Sequence, residues 1–262
     1  MITLDPEHLE RWLLQMLWPF MRLGGCFMVA PVLGASTVPP RVRIVLAASM
    51  AALIAPLLPP PPAVAALSAA GLLITAQQLL IGLALGFCLQ LTFDAVTLGG
   101  QMLSNSMGLS FAFNLDPERG GSSSTPALGQ LFTLLVTLTF LALNGPLLLL
   151  ETLARSFTTL PVTLDGLPQS GLRAVLDWGG QLFVYALAIA LPGITALMIV
   201  HLAFGVVSRA APALNLFAVG LPASLLCGLL VIFAGLWIVE STFIEELRHA
   251  LQSLAAMVGA RE

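Results

Sequence analysis

Six apolar runs, residues 9–33, 42–58, 71–93, 126–150, 175–207 and 213–239, occupy most of this chain. Each is near or above the ~20 residues that a helix needs to cross a hydrocarbon core. In lipid, backbone N–H and C=O groups have no water to bond, so runs of this length fold as helices that satisfy their own amides. Hydrophobic residues make up 58% of the chain and charged residues 9%, against roughly 45–50% and 25% in a soluble domain. So few charges cannot cover the surface of a 262-residue soluble protein. The expected fold is therefore all-α, a polytopic integral membrane protein with about six long apolar helices.

The breaks between the runs follow from residue chemistry. Pro39-Pro40 ends the first, and Pro59 to Pro62 make a stiff elbow after the second. Asn144-Gly145-Pro146 interrupts the fourth near its end, and Arg209-Ala210-Ala211-Pro212 separates the last two. The opening residues carry Asp5, Glu7 and Glu10 where a signal peptide would be basic, so the first run is expected to be retained. Residues 240–262 form a mixed-charge, helix-permissive tail.

Two features do not fit six plain spans. No proline occurs between Pro62 and Pro117, and a helix over residues 71–109 would measure about 58 Å. That is nearly twice a hydrocarbon core of about 30 Å. Such a chain folds back or stands partly outside lipid, and Asp94, Gly99, Gly100, Gln101, Ser104, Asn105 and Ser106 make its second half polar. The arginines also barely choose an orientation. With six spans, Arg41, Arg43, Arg119 and Arg209 fall on one side, and Arg11, Arg155, Arg173, Arg248 and Arg261 on the other. A four-to-five split suits spans that partly pack against protein rather than each threading the bilayer alone. Gly82 and Gly86, at GxxxG spacing, suit close approach of helix backbones.

Residues 107–126 (MGLSFAFNLDPERGGSSSTP) lie between two apolar runs and mix characters that seldom meet. Phe111 and Phe113 stand beside Asn114, Asp116, Pro117 and the flexible Gly120, Gly121 and serines. Lipid would not tolerate the charges, and a solvated loop would not need the rings. The combination suits a movable flap across a narrow passage, a gate rather than a catalytic centre.

Catalytic and nucleic-acid functions lack their residues. All ten basic residues are arginine, so there is no P-loop lysine, no Schiff-base lysine, and GGSSST is a linker rather than a phosphate cradle. No basic patch supports nucleic-acid binding. Cys26, Cys88 and Cys227 are odd in number, sit in apolar runs and have no C-x-x-C spacing. His8, His201 and His249 are too far apart for a zinc motif. Gly108-Leu109-Ser110 is followed by Phe111, not the glycine of a membrane serine protease, and Ala250 stands where a glutamate-type protease would carry arginine after Glu245-Glu246. No catalytic, cofactor-binding or metal-binding residue is assigned. Among ionisable residues inside apolar runs, Arg22 is expected to be a buried ion-pair partner, Asp94 and Asp177 interfacial groups at helix ends, and His201 an imidazole bonded to a neighbouring helix.

Three stretches together resemble the FliR/SctT export-gate family over nearly the whole length. They are GLSFAFNLDP at residues 108–117, FLALNGPLLLLETLARSFTTLP at 140–161, and GVVSRAAPALNLFAVGLP at 205–222. The chain departs from the family pattern at Pro146, where His is usual, and at Ala213, where Gln is frequent. Ser208 before Arg209, and the absence of lysine after Pro222, look more flagellar than injectisome-like.

The resemblance implies a subunit of the flagellar type III protein export gate, working beside FliP, FliQ, FlhB and FlhA in the bacterial inner membrane at the flagellar basal body, with its helices partly packed in a helical assembly outside the lipid plane. Exported flagellar proteins and membrane lipid would be its other contacts. It implies a FliP-like helical half at residues 1–110, a plug loop at 111–125, and a half at 126–262 holding a FliQ-like hairpin and the charged tail. Phe111, Phe113, Asn114, Asp116, Pro117, Gly120 and Gly121 map to the plug, and Arg209, Pro212 and Asn215 to a structural junction between helices. An injectisome export subunit and a small-molecule transporter remain the alternatives. The transporter would call for inverted repeats and mid-bilayer charges, which the chain does not show.

Overall fold

The computed structural model describes residues 6–60, 62, 64–65, 67–109, 127–163, 169–210 and 216–259. Among these every regular element is helical. In chain order they are α1 (Pro6–Val29), α2 (Pro40–Ile54) with a 3-10 turn at Ala55–Leu57, α3 (Ala69–Ser106), α4 (Ala127–Ala142), α5 (Gly145–Thr159), α6 (Gln169–Ala210) and α7 (Leu216–Gly259).

Among the described residues, four helices are long and apolar enough to cross a membrane: Pro40–Leu57, Ala69–Ser106, Gly171–Ala210 and Pro222–Leu254. The broken pair Leu128–Ala142 and Gly145–Thr159 brings the count to five if taken as one span. The expectation of about six is therefore corrected. α1, from the first run, is not among these candidate spans. The fourth run is two helices because Asn144 turns left-handed at φ 55°. Asparagine tolerates that region, and the Gly-Pro pair after it starts a new helix.

The proline-free stretch does not fold back. α3 is one helix of 38 residues, about 57 Å long. α6 and α7 have 42 and 44 residues. At a tilt of 40°, a core of about 30 Å takes up only about 39 Å of helix. All three helices therefore extend well beyond it.

The chain forms two compact units whose boundaries fall inside α3, α6 and α7. The first comprises Met1–Leu91, Asn144–Gly179 and Arg248–Glu262. In it α2 packs on α1, with Ala47 and Ala51 buried, and Gln15 Nε2 donates to the Ala55 carbonyl at 2.9 Å. α1 and α3 approach backbone to backbone. A Cβ added at Gly86 would lie 2.7 Å from the Cys26 carbonyl oxygen, and one at Gly82 would overlap the Arg22 carbonyl. The GxxxG step thus marks a contact within the chain.

The second unit comprises Thr92–Leu143 and Gly180–Leu247. Phe93 of α3 meets Phe140 of α4 and Phe243 of α7 edge to face, at 5.3 and 5.4 Å between centroids. Thr97 and Thr133 share a hydrogen bond of 2.8 Å, and Gly100 lies under Phe132. Residue numbers that rise on α3 while falling on α4 define an antiparallel pair. α6 and α7 are paired near Gly193 and Val231.

Candidate gating loop and its framework

The seven residues expected to plug a passage, Phe111, Phe113, Asn114, Asp116, Pro117, Gly120 and Gly121, lie outside the described residues, as do Pro212 and Asn215. The framework that carries the loop is described. α4 and the second half of α3, both in the second unit, are joined by the 20 residues between Ser106 and Ala127. Antiparallel helices are ordinarily linked by about 2–8 residues, and connections beyond about 12–15 are usually functional. The length of this connection therefore has no explanation in the helix pair alone.

The start of the loop is held firmly. Met107 is 1% exposed, and its carbonyl accepts from Ser224 Oγ at 3.4 Å. Its side chain lies against Gly228 of α7, where a Cβ would collide with it. Gly108 then takes φ 78°, a region open to glycine, and its N–H donates to the Asn105 carbonyl at 3.1 Å. The chain thus leaves α3 through a fixed left-handed turn.

Arg209 lies exposed in the last turn of α6, where its charge complements the carbonyl end of the helix. Asp94 and Asp177 are exposed, but neither ends a helix: α3 continues to Ser106, and Asp177 lies inside α6. His201 is exposed on α6. Cys26 and Cys88 are buried free thiols, and Cys227 is half-buried.

Arg22 differs most from its expectation. It is fully buried, yet it makes no carboxylate pair among the described residues. Its Nε donates to Gln78 Oε1 at 2.8 Å. Nη1 donates to the Ser156 carbonyl at 2.8 Å and to Ser156 Oγ at 3.0 Å, and Nη2 donates to the Leu160 carbonyl at 2.8 Å. The guanidinium sits 4.2 Å from the centre of the Phe157 ring. The charge is stabilised by the carbonyl terminus of α5, an amide oxygen and an aromatic face. No local pattern in the sequence joins residue 22 to residues 156–160. Only the arginine within an apolar run hinted at a buried partner.

No group of His, Cys, Asp and Glu among the described residues is placed to hold a metal. Large apolar side chains stay exposed along the candidate spans, including Val45 and Leu53 on α2, Ile199 and Leu202 on α6, and Leu230, Phe233 and Trp237 on α7. These faces and the helix lengths define an all-α, polytopic membrane protein.

The family model for bacterial export proteins, family 1, matches residues 13–250, and the chain belongs to that family. It is 36% identical to the flagellar biosynthetic protein FliR of Escherichia coli (strain K12) over 98% of this chain and 97% of that one. It is 34% identical to the FliR of Pectobacterium carotovorum subsp. carotovorum over 88% of each chain. The FliR of Bacillus subtilis (strain 168) is 28% identical over 92% of this chain and 94% of its own.

Proposed function

We propose that the chain is the FliR-type subunit of a flagellar type III protein export gate, and that its 107–126 loop helps close the channel. The observation that carries this is similarity to FliR along practically the whole of both chains, joined to a framework that anchors an overlong loop at Met107 and Gly108. The subunit works in the bacterial inner membrane with FliP and FliQ, beside FlhB and FlhA, and passes flagellar proteins outward without a catalytic step of its own. In this reading residues 1–110 form the FliP-like half, and the paired α6 and α7 form the FliQ-like hairpin.

Helices that outrun a bilayer, with apolar faces left open, suit a subunit whose neighbours are partly protein. Unpaired α6 and α7 faces would then be covered by FliP and FliQ, in an assembly standing partly out of the lipid plane.

The test is complementation in an Escherichia coli strain lacking FliR. The chain, expressed at the level of the resident protein, should restore export of flagellar proteins into the medium at least partly. Normal membrane levels and normal association with FliP and FliQ, but no export, would overturn the proposal.

A further inference from the structure

One acid is left unused by the gate. Glu246, on α7 in the second unit, is 1% exposed, and its Oε2 has no hydrogen-bond partner among the described residues. Its buried neighbours along the helix are Phe243, Leu247 and Ala250, and Phe243 packs on Phe93.

Among the described residues of this unit, no cation is placed beside it. Tyr185 on α6 lies within electrostatic range of both Glu245 and Glu246, but a phenol is uncharged near neutral pH. Within this unit α4 has no charged residue, and α3 has only Asp94, which is exposed. On α7 itself Glu240 and Glu245 are acids, and both are exposed. Arg248 and His249 follow, and they too are exposed rather than turned inward with Glu246. On α6, His201 and Arg209 stand at least 16 residues from Tyr185 in one direction and the exposed Arg173 stands 12 residues from it in the other, about 18 Å or more at 1.5 Å per residue.

An unpaired carboxylate in apolar surroundings is far costlier than a neutral carboxylic acid. We propose that Glu246 is a proton-binding site: it is carried as the neutral acid while α7 is packed, and it releases its proton when this stretch of α7 opens to water. Opening of the packing around Phe243 is then linked to proton release, whatever the 107–126 loop does.

The test uses dicyclohexylcarbodiimide on the full chain in native membranes, followed by peptide mass spectrometry. This apolar reagent adds to a protonated carboxyl. The acid proton moves to one carbodiimide nitrogen while a carboxyl oxygen bonds the central carbon. Where water is excluded, the acyl group then shifts from oxygen to nitrogen, giving a stable N-acylurea with no leaving group. The expected result is an adduct at Glu246 several-fold more abundant than at exposed Glu240 and Glu245. Glu246→Gln should remove that adduct and keep wild-type protein levels, because a neutral amide replaces a neutral acid. Labelling at Glu246 no greater than at Glu240 and Glu245 would overturn the proposal. So would loss of folded protein in Glu246→Gln, which would show that the site requires the negative charge.

Discussion

Arg22 of α1 closes the carbonyl end of α5 through a 2.8 Å hydrogen bond to Leu160, 138 residues further along the chain. A helix end leaves carbonyls without intrahelical donors, and here a distant guanidinium supplies them. Replacing it with Met should leave the Ser156 and Leu160 carbonyls and Gln78 without their donor. A buried group stranded in this way costs about 1–3 kcal/mol. Arg22→Met should lower the apparent melting temperature of the detergent-extracted protein and reduce its amount in the membrane. Arg22→Lys should rescue only part of the loss, since an ammonium cannot reproduce the planar fork. Unchanged thermal stability in Arg22→Met would show that the buried network contributes nothing net.

The contact between α1 and α3 predicts a sharp contrast among glycines. A methyl group at Gly82 would overlap the Arg22 carbonyl, and backbone atoms cannot swing aside as a side-chain tip can. Gly82→Ala should force the helices apart and cost on the order of 1–3 kcal/mol. Gly205→Ala, where a Cβ would meet nothing within 4 Å, should be neutral or slightly stabilising in the isolated chain through helix propensity. Thermal unfolding of the two variants side by side checks the contrast, and equal effects would count against a close backbone contact.

The parts of the fold that depend on runs of residues were legible in the sequence. Apolar length marked α3, α6 and α7, and the absence of proline between Pro62 and Pro117 left either a fold-back or an overlong helix, of which Ala69–Ser106 is the second. Asn144-Gly145-Pro146 was visible as an interruption, but only the left-handed Asn144 shows that it separates two helices. Glycine spacing marked a close approach without naming α1 as the partner. Arg22 was read as half of an ion pair because a buried charge calls first for a counter-charge. Ser156, Leu160 and Phe157 meet it through tertiary packing, which has no local signature. In the candidate site, composition and loop length singled out residues 107–126, while the side chains of the plug lie outside the described residues. Met107 was missed as an anchor: at the start of the loop, after a polar stretch, nothing in the sequence marks this methionine, and its burial against Gly228 and Ser224 comes from α7.

Arg209 should act in assembly rather than in transport. It is exposed in the last turn of α6, and an exposed guanidinium at a helix end beside apolar faces can bond carbonyls of a neighbouring subunit. Arg209→Ala should reduce the yield of the complex with FliP and FliQ while leaving the level of the free chain near normal. Co-purification through tagged FliP, followed by native mass spectrometry, measures this. A full yield of complex with a reduced export rate would place the arginine in the passage instead.

The loop should seal the channel rather than drive export. Met107 and Gly108 fix where it leaves α3, and Phe111 and Phe113 have the apolar area to fill a narrow opening. Asp116-Pro117 can set a turn between the rings and the glycine-serine stretch, since proline fixes its own φ and aspartate bonds nearby backbone. In the proposed plug, the glycine-serine composition after Pro117 would supply the freedom to move aside at small cost. Deleting residues 111–117 should therefore leave the complex with FliP and FliQ assembled, because the anchors at Met107 and on α4 remain. Cells carrying the deletion should become permeable to ions and small solutes, and should still export flagellar proteins at least partly. The measurement is uptake of a small impermeant dye, with complex yield determined in the same cells. Normal assembly with unchanged permeability would place the seal in another subunit, and loss of assembly would make the loop a structural element.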